Sequence, residues 1–154
     1  MSEQSQKKAV ERAANVLSLR PYSCAGLYRR LVEKGVEPED AAYAVERLTE
    51  LRLLDDDQYA RDLCRSGRSK GWGAARIRQE LRRKGIDEEC AERALAGFEP
   101  DSDKLMRFVR ARLGDGKPDR AALRRVSDGL YRRGFSWDEI NEAIGACLEE
   151  MEDE

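Results

Sequence analysis

Histidine does not occur in this 154-residue chain. Its absence removes the side chain that most often acts as a general base near neutral pH, and with it the commonest nitrogen ligand of zinc. Four cysteines, Cys24, Cys64, Cys90 and Cys147, lie far apart with no C-x-x-C pair, so neither a zinc site nor a disulfide framework is expected. They read as reduced, mostly packed thiols. Aromatic residues make up 6% of the chain against 39% charged. The interior must therefore come mainly from Leu, Ile, Val and Ala, which suits helices better than sheets and modest faces better than one deep core. No apolar run approaches the roughly 18–20 residues of a membrane span. The opening MSEQSQKKAVERAANVL lacks the apolar centre of a secretory signal. A cytoplasmic protein without membrane contact is expected. No Walker loop, G-x-S-x-G turn or carboxylate pair stands out, and Gly71-Trp72-Gly73 has no strand leading into it. That stretch reads as a loop opening a helix. Neither catalysis nor a cofactor is expected.

The chain does carry an internal repeat. Leucine, two residues, a Lys or Arg, glycine and an apolar residue recur as LVEKGV (Leu31–Val36), LRRKGI (Leu81–Ile86) and LYRRGF (Leu130–Phe135). The glycines Gly35, Gly85 and Gly134 are 50 and 49 residues apart, a period typical of tandem helical units. Before each glycine the apolar positions fall at helical spacing: Cys24, Leu27 and Leu31; Ala74, Ile77 and Leu81; Leu123, Val126 and Leu130. A second stripe follows, with Ala41, Val45 and Leu48 in the first unit and Ile140, Ile144 and Cys147 in the last. An alanine nine residues past each glycine (Ala44, Ala94, Ala143) predicts close helix approach. Each glycine is expected to end a helix at positive φ, a structural role and not a binding one.

An upstream helix completes each unit, over Lys7–Leu19, Asp56–Arg68 and Asp101–Leu113. Asp55, Asp56 and Asp57 offer an N-cap and first-turn charge. All four prolines sit at proposed helix starts or junctions. The fold class is all-α: three tandem three-helix modules at 7–52, 53–99 and 100–149, forming an elongated, curved array, with an acidic tail at 150–154.

Charge is distributed unevenly. Between Arg61 and Gly85 stand nine basic residues and two acids, although the net charge of the whole chain is −2. The middle helices are basic and the third helices acidic; from Ser136 to the end there are eight acids and no base. Helix-dipole complementarity, at roughly 0.3–1 kcal/mol per charge, accounts for part of this pattern. It does not account for nine against two, a density that repels itself unless something anionic offsets it. With Ala74, Ile77 and Leu81 inward, Arg76 and Arg83 share a helical face, and Arg65, Arg68 and Lys70 lead into it. These five are the candidate binding residues, for phosphate or for an acidic protein groove. Trp72 reads as a core plug in preference to an exposed stacking side chain.

The block Leu53-Leu54-Asp55-Asp56-Asp57-Gln58-Tyr59-Ala60, followed by Gly73-x-x-x-Ile77-x-x-Glu80-Leu81-x-x-Lys84-Gly85-Ile86, resembles the RecX family. RRGF at Arg132–Phe135 and the stretch SCAGLYRRLVEKGV fit the flanking modules, and the likeness runs from about Val16 to Leu148, with the acidic tail outside it. The resemblance implies a non-catalytic bacterial regulator of the RecA recombinase in DNA repair and the SOS response. Such a protein lodges in the groove of the RecA–DNA filament and limits ATP hydrolysis, strand exchange and co-protease activity. It is expected to be a monomer, with the RecA filament as partner and single- or double-stranded DNA as a further partner through the basic ridge. A plain nucleic-acid-binding helical module is the competing reading.

Overall fold

The computed structural model describes residues 2–153, and among them there is no strand. Nine helices form three consecutive triplets: α1 (Glu3–Leu19), α2 (Cys24–Glu33), α3 (Pro38–Glu50); α4 (Asp56–Ser69), α5 (Ala74–Arg83), α6 (Glu88–Leu95); α7 (Ser102–Leu113), α8 (Arg120–Arg132), α9 (Trp137–Glu152). Most starts are marked by a short polar side chain that accepts from a first-turn N–H. Ser23 accepts from Gly26, Asp55 from Gln58, Asp87 from Cys90, and Asp119 from Ala122. Such a cap contributes about 1 kcal/mol. Pro38 opens α3, where the missing N–H costs nothing. The first helix starts at Glu3 and not at Lys7, because Ser2 and Ser5 close a reciprocal capping box ahead of it.

The repeat glycines behave as their chemistry requires. Gly35, Gly85 and Gly134 have φ of 93°, 80° and 97°, a region in which a side chain is strained. One residue on, the N–H of Val36, Ile86 and Phe135 donates back to Leu31, Leu81 and Leu130 at 3.0, 3.0 and 3.1 Å. The apolar side chains after the glycines are thereby turned inward, at 8%, 5% and 3% exposure. None of the positions assigned to the two apolar stripes is exposed.

The chain divides into two compact units: Met1–Asp62 with Leu81–Ala94, and Leu63–Glu80 with Leu95–Glu154. Helices α4 and α5 contribute residues to both. In the first unit α1 packs chiefly on α3. Ala9, Ala13, Ala41 and Ala44 leave room there, while Leu27, Leu31 and Leu48 fill the centre. Each fully buried leucine contributes about 1.5–3 kcal/mol. In the second unit Val109, Val126, Leu130, Phe135 and Ile140 form the core.

Within each unit a helix end of one module docks on a helix start of the preceding one. In the first, the Ser23 hydroxyl donates to the Lys84 carbonyl at 2.6 Å. In the second, the N–H groups of Gly73 and Ala75 donate to the carbonyls of Arg133 and Gly134 at 2.8 and 3.1 Å. Carbonyls left over at one helix end thus satisfy donors left over at another start. This contact leaves the basic residues just before Gly85 and Gly134 beside the start of the preceding module's middle helix.

Candidate anion-binding site

The five basic residues singled out by sequence have different surroundings. Arg65 is exposed on α4. Arg68 donates from Nε to the Glu99 carbonyl at 2.9 Å, tying the end of α4 to the segment ahead of α7; Lys104 Nζ does the same on the Ser69 carbonyl. Lys70 stands over the Trp72 ring, Nζ 4.9 Å from its centroid, and Arg76 stands over the same ring at 4.6 Å. Trp72 is half-buried and abuts Gly67 so closely that a Cβ there would lie 2.9 Å from its Cε3. The ring is therefore neither a pure plug nor a free stacking platform: one part seals the helix contact and the rest holds two cations. Arg76 also faces Glu80 one helical turn on, at a loose 3.9 Å and with 36% of its side chain exposed. A pair of that kind contributes a few tenths of a kcal/mol, leaving the guanidinium available. Arg83 is exposed.

Two concave surfaces collect the strongest positive charge. In the second unit a groove of about 610 Å³ is lined by Arg76, Arg112, Arg125, Arg132 and Arg133, with Phe108 among them and Asp128 its single acid. Arg112 and Arg133 both stand over the Phe108 ring, at 3.7 and 4.4 Å. Burial, and then the charge of Arg112, holds the Arg133 guanidinium below its ordinary pKa.

In the first unit a groove of about 390 Å³ is lined by Arg20, Arg29, Arg30, Arg83 and Lys84, with Tyr22 and Tyr59 beside them and Glu33 its single acid. Arg20 stands 4.7 Å over the Tyr22 ring. Arg29 donates to the Arg83 carbonyl at 3.3 Å, and Arg30 meets Glu33 at 3.4 Å. A further cavity of about 840 Å³, between the end of α7 and the end of α9, is different in kind. Its Arg110 is held by both carboxylate oxygens of Glu150, at 3.0 and 3.1 Å.

Of the five candidates, Arg76 and Arg83 thus line grooves, one in each unit. Linear charge counting missed Arg20, Arg29 and Arg30 in the first groove and Arg112, Arg125, Arg132 and Arg133 in the second. The basic pair just ahead of Gly85 and Gly134 was the available signal, since the repeat places it identically. None of the four thiols forms a disulfide. Among the described residues no group of three or more His, Cys, Asp or Glu could hold a metal ion, and no helix is long and apolar enough to cross a membrane.

Three family models match in succession: the first three-helix domain of RecX over residues 9–48, the second over 55–95 and the third over 97–144. A regulatory protein RecX of Xanthomonas campestris pv. campestris (strain B100) is 38% identical over 143 residues, covering 92% of this chain and 88% of that one. The regulatory protein RecX of Stenotrophomonas maltophilia (strain R551-3) is 38% identical over 136 residues, covering 87% and 83%. Among solved structures, RecX from Lactobacillus salivarius superposes with a TM-score of 0.83 over 95% of this chain and 98% of that one; at 22% identity this likeness speaks to the fold alone. A second crystal structure of regulatory protein RecX gives 0.77 at 30% identity, over 92% of this chain and 72% of that one.

Proposed function

Since this chain belongs to the RecX family, we propose that it is a non-catalytic negative regulator of the RecA recombinase, acting by binding in the groove of the RecA–DNA filament. There it lowers ATP turnover, strand exchange and co-protease activity. The observation that carries this reading is the pair of cationic grooves on a scaffold of tandem modules, which suits a partner that repeats its own negative surface. Arg76 and Arg83 are the central contacts, one in each groove. Arg65, Arg68 and Lys70 add positive charge on α4 and the turn after it.

The test is RecA-catalysed ATP hydrolysis on single-stranded DNA, titrated with wild type and with the Arg76→Glu, Arg83→Glu double variant. A charge-assisted contact is worth roughly 1.5–3 kcal/mol, or about tenfold to a hundredfold in affinity. The double variant should therefore need at least about tenfold more protein for half-inhibition. Unchanged inhibition by a folded double variant removes these residues from the mechanism. No effect of the wild-type protein on the ATPase refutes the regulatory reading itself and leaves a plain nucleic-acid-binding module.

A further inference from the structure

The two grooves share repeat-related parts. Counting back from the turn glycine of the first two modules, a cation stands at 15 residues and an aromatic at 13: Arg20 and Tyr22 before Gly35, Lys70 and Trp72 before Gly85. In both pairs the cation sits on the ring, at 4.7 and 4.9 Å. Twelve residues back are Ser23 and Gly73, and these are the donors that receive the Lys84 and Arg133 carbonyls of the following module. The following module supplies an aromatic 26 residues before its own glycine, Tyr59 or Phe108, and each is succeeded by a fully buried residue, Ala60 or Val109. It also supplies the basic pair directly before that glycine, Arg83-Lys84 or Arg132-Arg133. Of these equivalent positions, Tyr59 and Phe108 and the two basic pairs line the grooves, and Ser23 and Gly73 form the docks beneath them, whereas Lys70 and Trp72 lie outside the lining of the second groove.

We infer that each groove is a phosphate-binding site for the backbone of a nucleic acid, so that each unit of the chain carries one. Three observations select phosphate over the acidic side chains of a protein. Each groove sets five cations against one acid. A single carboxylate would leave most of that charge unanswered, whereas a nucleic-acid strand delivers a negative charge about every 3.4 Å. Arginine supplies all five cations in the second groove and four of five in the first, and its planar fork grips phosphate oxygens in pairs. Two of the three rings lining the grooves are already engaged: Phe108 carries two guanidinium groups and Tyr22 one. Bases therefore have little to stack on, and recognition stays with the backbone, independent of sequence.

This assignment concerns what the grooves hold, and it stands or falls apart from RecA regulation. The experiment is fluorescence anisotropy of a labelled 20-nucleotide oligothymidylate titrated with the protein across a salt series. The variants are Arg20→Ala with Arg83→Ala in the first groove, Arg125→Ala with Arg132→Ala in the second, and all four together. Wild type should bind with log K falling on log salt by about 0.7 per phosphate contacted. Each paired variant should lose about tenfold in affinity and flatten that slope by about 1.4, the signature of two phosphates. The fourfold variant, with an unchanged helical circular dichroism spectrum, should not bind. An oligoadenylate of equal length should bind within about twofold of oligothymidylate. Absence of wild-type binding, an unchanged slope in the fourfold variant, or equal competition by an oligoglutamate of the same length each overturns the inference. A protein that ignores the oligonucleotide yet inhibits RecA ATPase sinks this assignment and keeps the regulatory one; the opposite result does the reverse.

Discussion

Replacing Gly134 by alanine separates the two duties of the repeat glycines. Gly35 has φ of +93° and nothing within 4 Å of where a Cβ would stand. Gly134 has φ of +97°, and its added Cβ would lie 2.3 Å from the Arg76 amide nitrogen and 2.5 Å from Arg76 Cβ. Gly35→Ala therefore meets only the conformational cost, about 1–2 kcal/mol. Gly134→Ala meets that cost and must also push α8's end away from the start of α5. Overpacking against backbone costs about 1–3 kcal/mol. The shift also strains the Gly73–Arg133 and Ala75–Gly134 hydrogen bonds, each worth about 1 kcal/mol. The expected losses are about 1–2 kcal/mol at Gly35 and about 4–5 kcal/mol at Gly134, out of a total typically near 5–15 kcal/mol. In thermal unfolding followed by circular dichroism, at about 2–4 °C per kcal/mol, Tm should fall by about 5 °C for Gly35→Ala and by about 10–15 °C for Gly134→Ala. Gly85→Ala belongs between them, because its Cβ would meet a side-chain methyl, Ala25 Cβ at 2.4 Å. Pairing it with Ala25→Gly should recover part of the loss. Equal destabilisation at Gly35 and Gly134 would refute the docking contact and, with it, the common origin of the two grooves.

Gly67→Ala should destabilise α4 although alanine favours a helix by about 1 kcal/mol over glycine: the new Cβ would stand 2.7 Å from Ile77 Cγ1, and urea unfolding should show a net loss of about 1–2 kcal/mol. Asp57 accepts from the Cys90 thiol at 3.1 Å and from Arg93 at 2.9 Å, contacts that lower its carboxyl pKa, the thiol contact most. Its contribution is thus complete above the ordinary carboxylate range, near pH 4, and disappears as pH falls through the lowered value. Asp57→Asn should flatten the acid limb of a stability–pH profile. Burial first, and then that same hydrogen bond, push the Cys90 thiol up to about 12. The thiol should therefore stay protonated at pH 8, and alkylation followed by mass spectrometry should mark half-buried Cys24 well before Cys90.

The helices, the inward stripes and the sign of φ at the three glycines were legible in sequence because each is set locally. Periodicity gives a helix its buried face. Glycine after a basic residue gives the turn, as Gly35, Gly85 and Gly134 show. The first-turn aspartates did cap α4, through Asp55. Local charge counting was less informative. Part of the central basic run is engaged nearby: Arg82 is paired with Glu88 at 2.8 Å, and Arg61 and Arg68 donate to the Gln58 side-chain oxygen and the Glu99 carbonyl, each at 2.9 Å.

The grooves escaped a linear reading because each takes side chains from two successive modules. What brings these together is a hydrogen bond to a carbonyl, of Lys84 in one case and of Arg133 and Gly134 in the other. A carbonyl has no residue signature, so this contact leaves no motif. Its trace is indirect: a small residue or serine must sit 12 positions before one glycine so that the turn of the following module can approach. Ser23 and Gly73 meet that demand, and Gly73 leaves no alternative, since a Cβ there would lie 2.4 Å from the Gly134 carbonyl oxygen. The same contact places Arg132 and Arg133 beside Arg76, and Arg83 and Lys84 beside Arg29. Docking and charge concentration are therefore one structural event. A substitution that loosens the dock should weaken anion binding even when every arginine is intact, so Gly73→Ala should lower oligonucleotide affinity along with Tm.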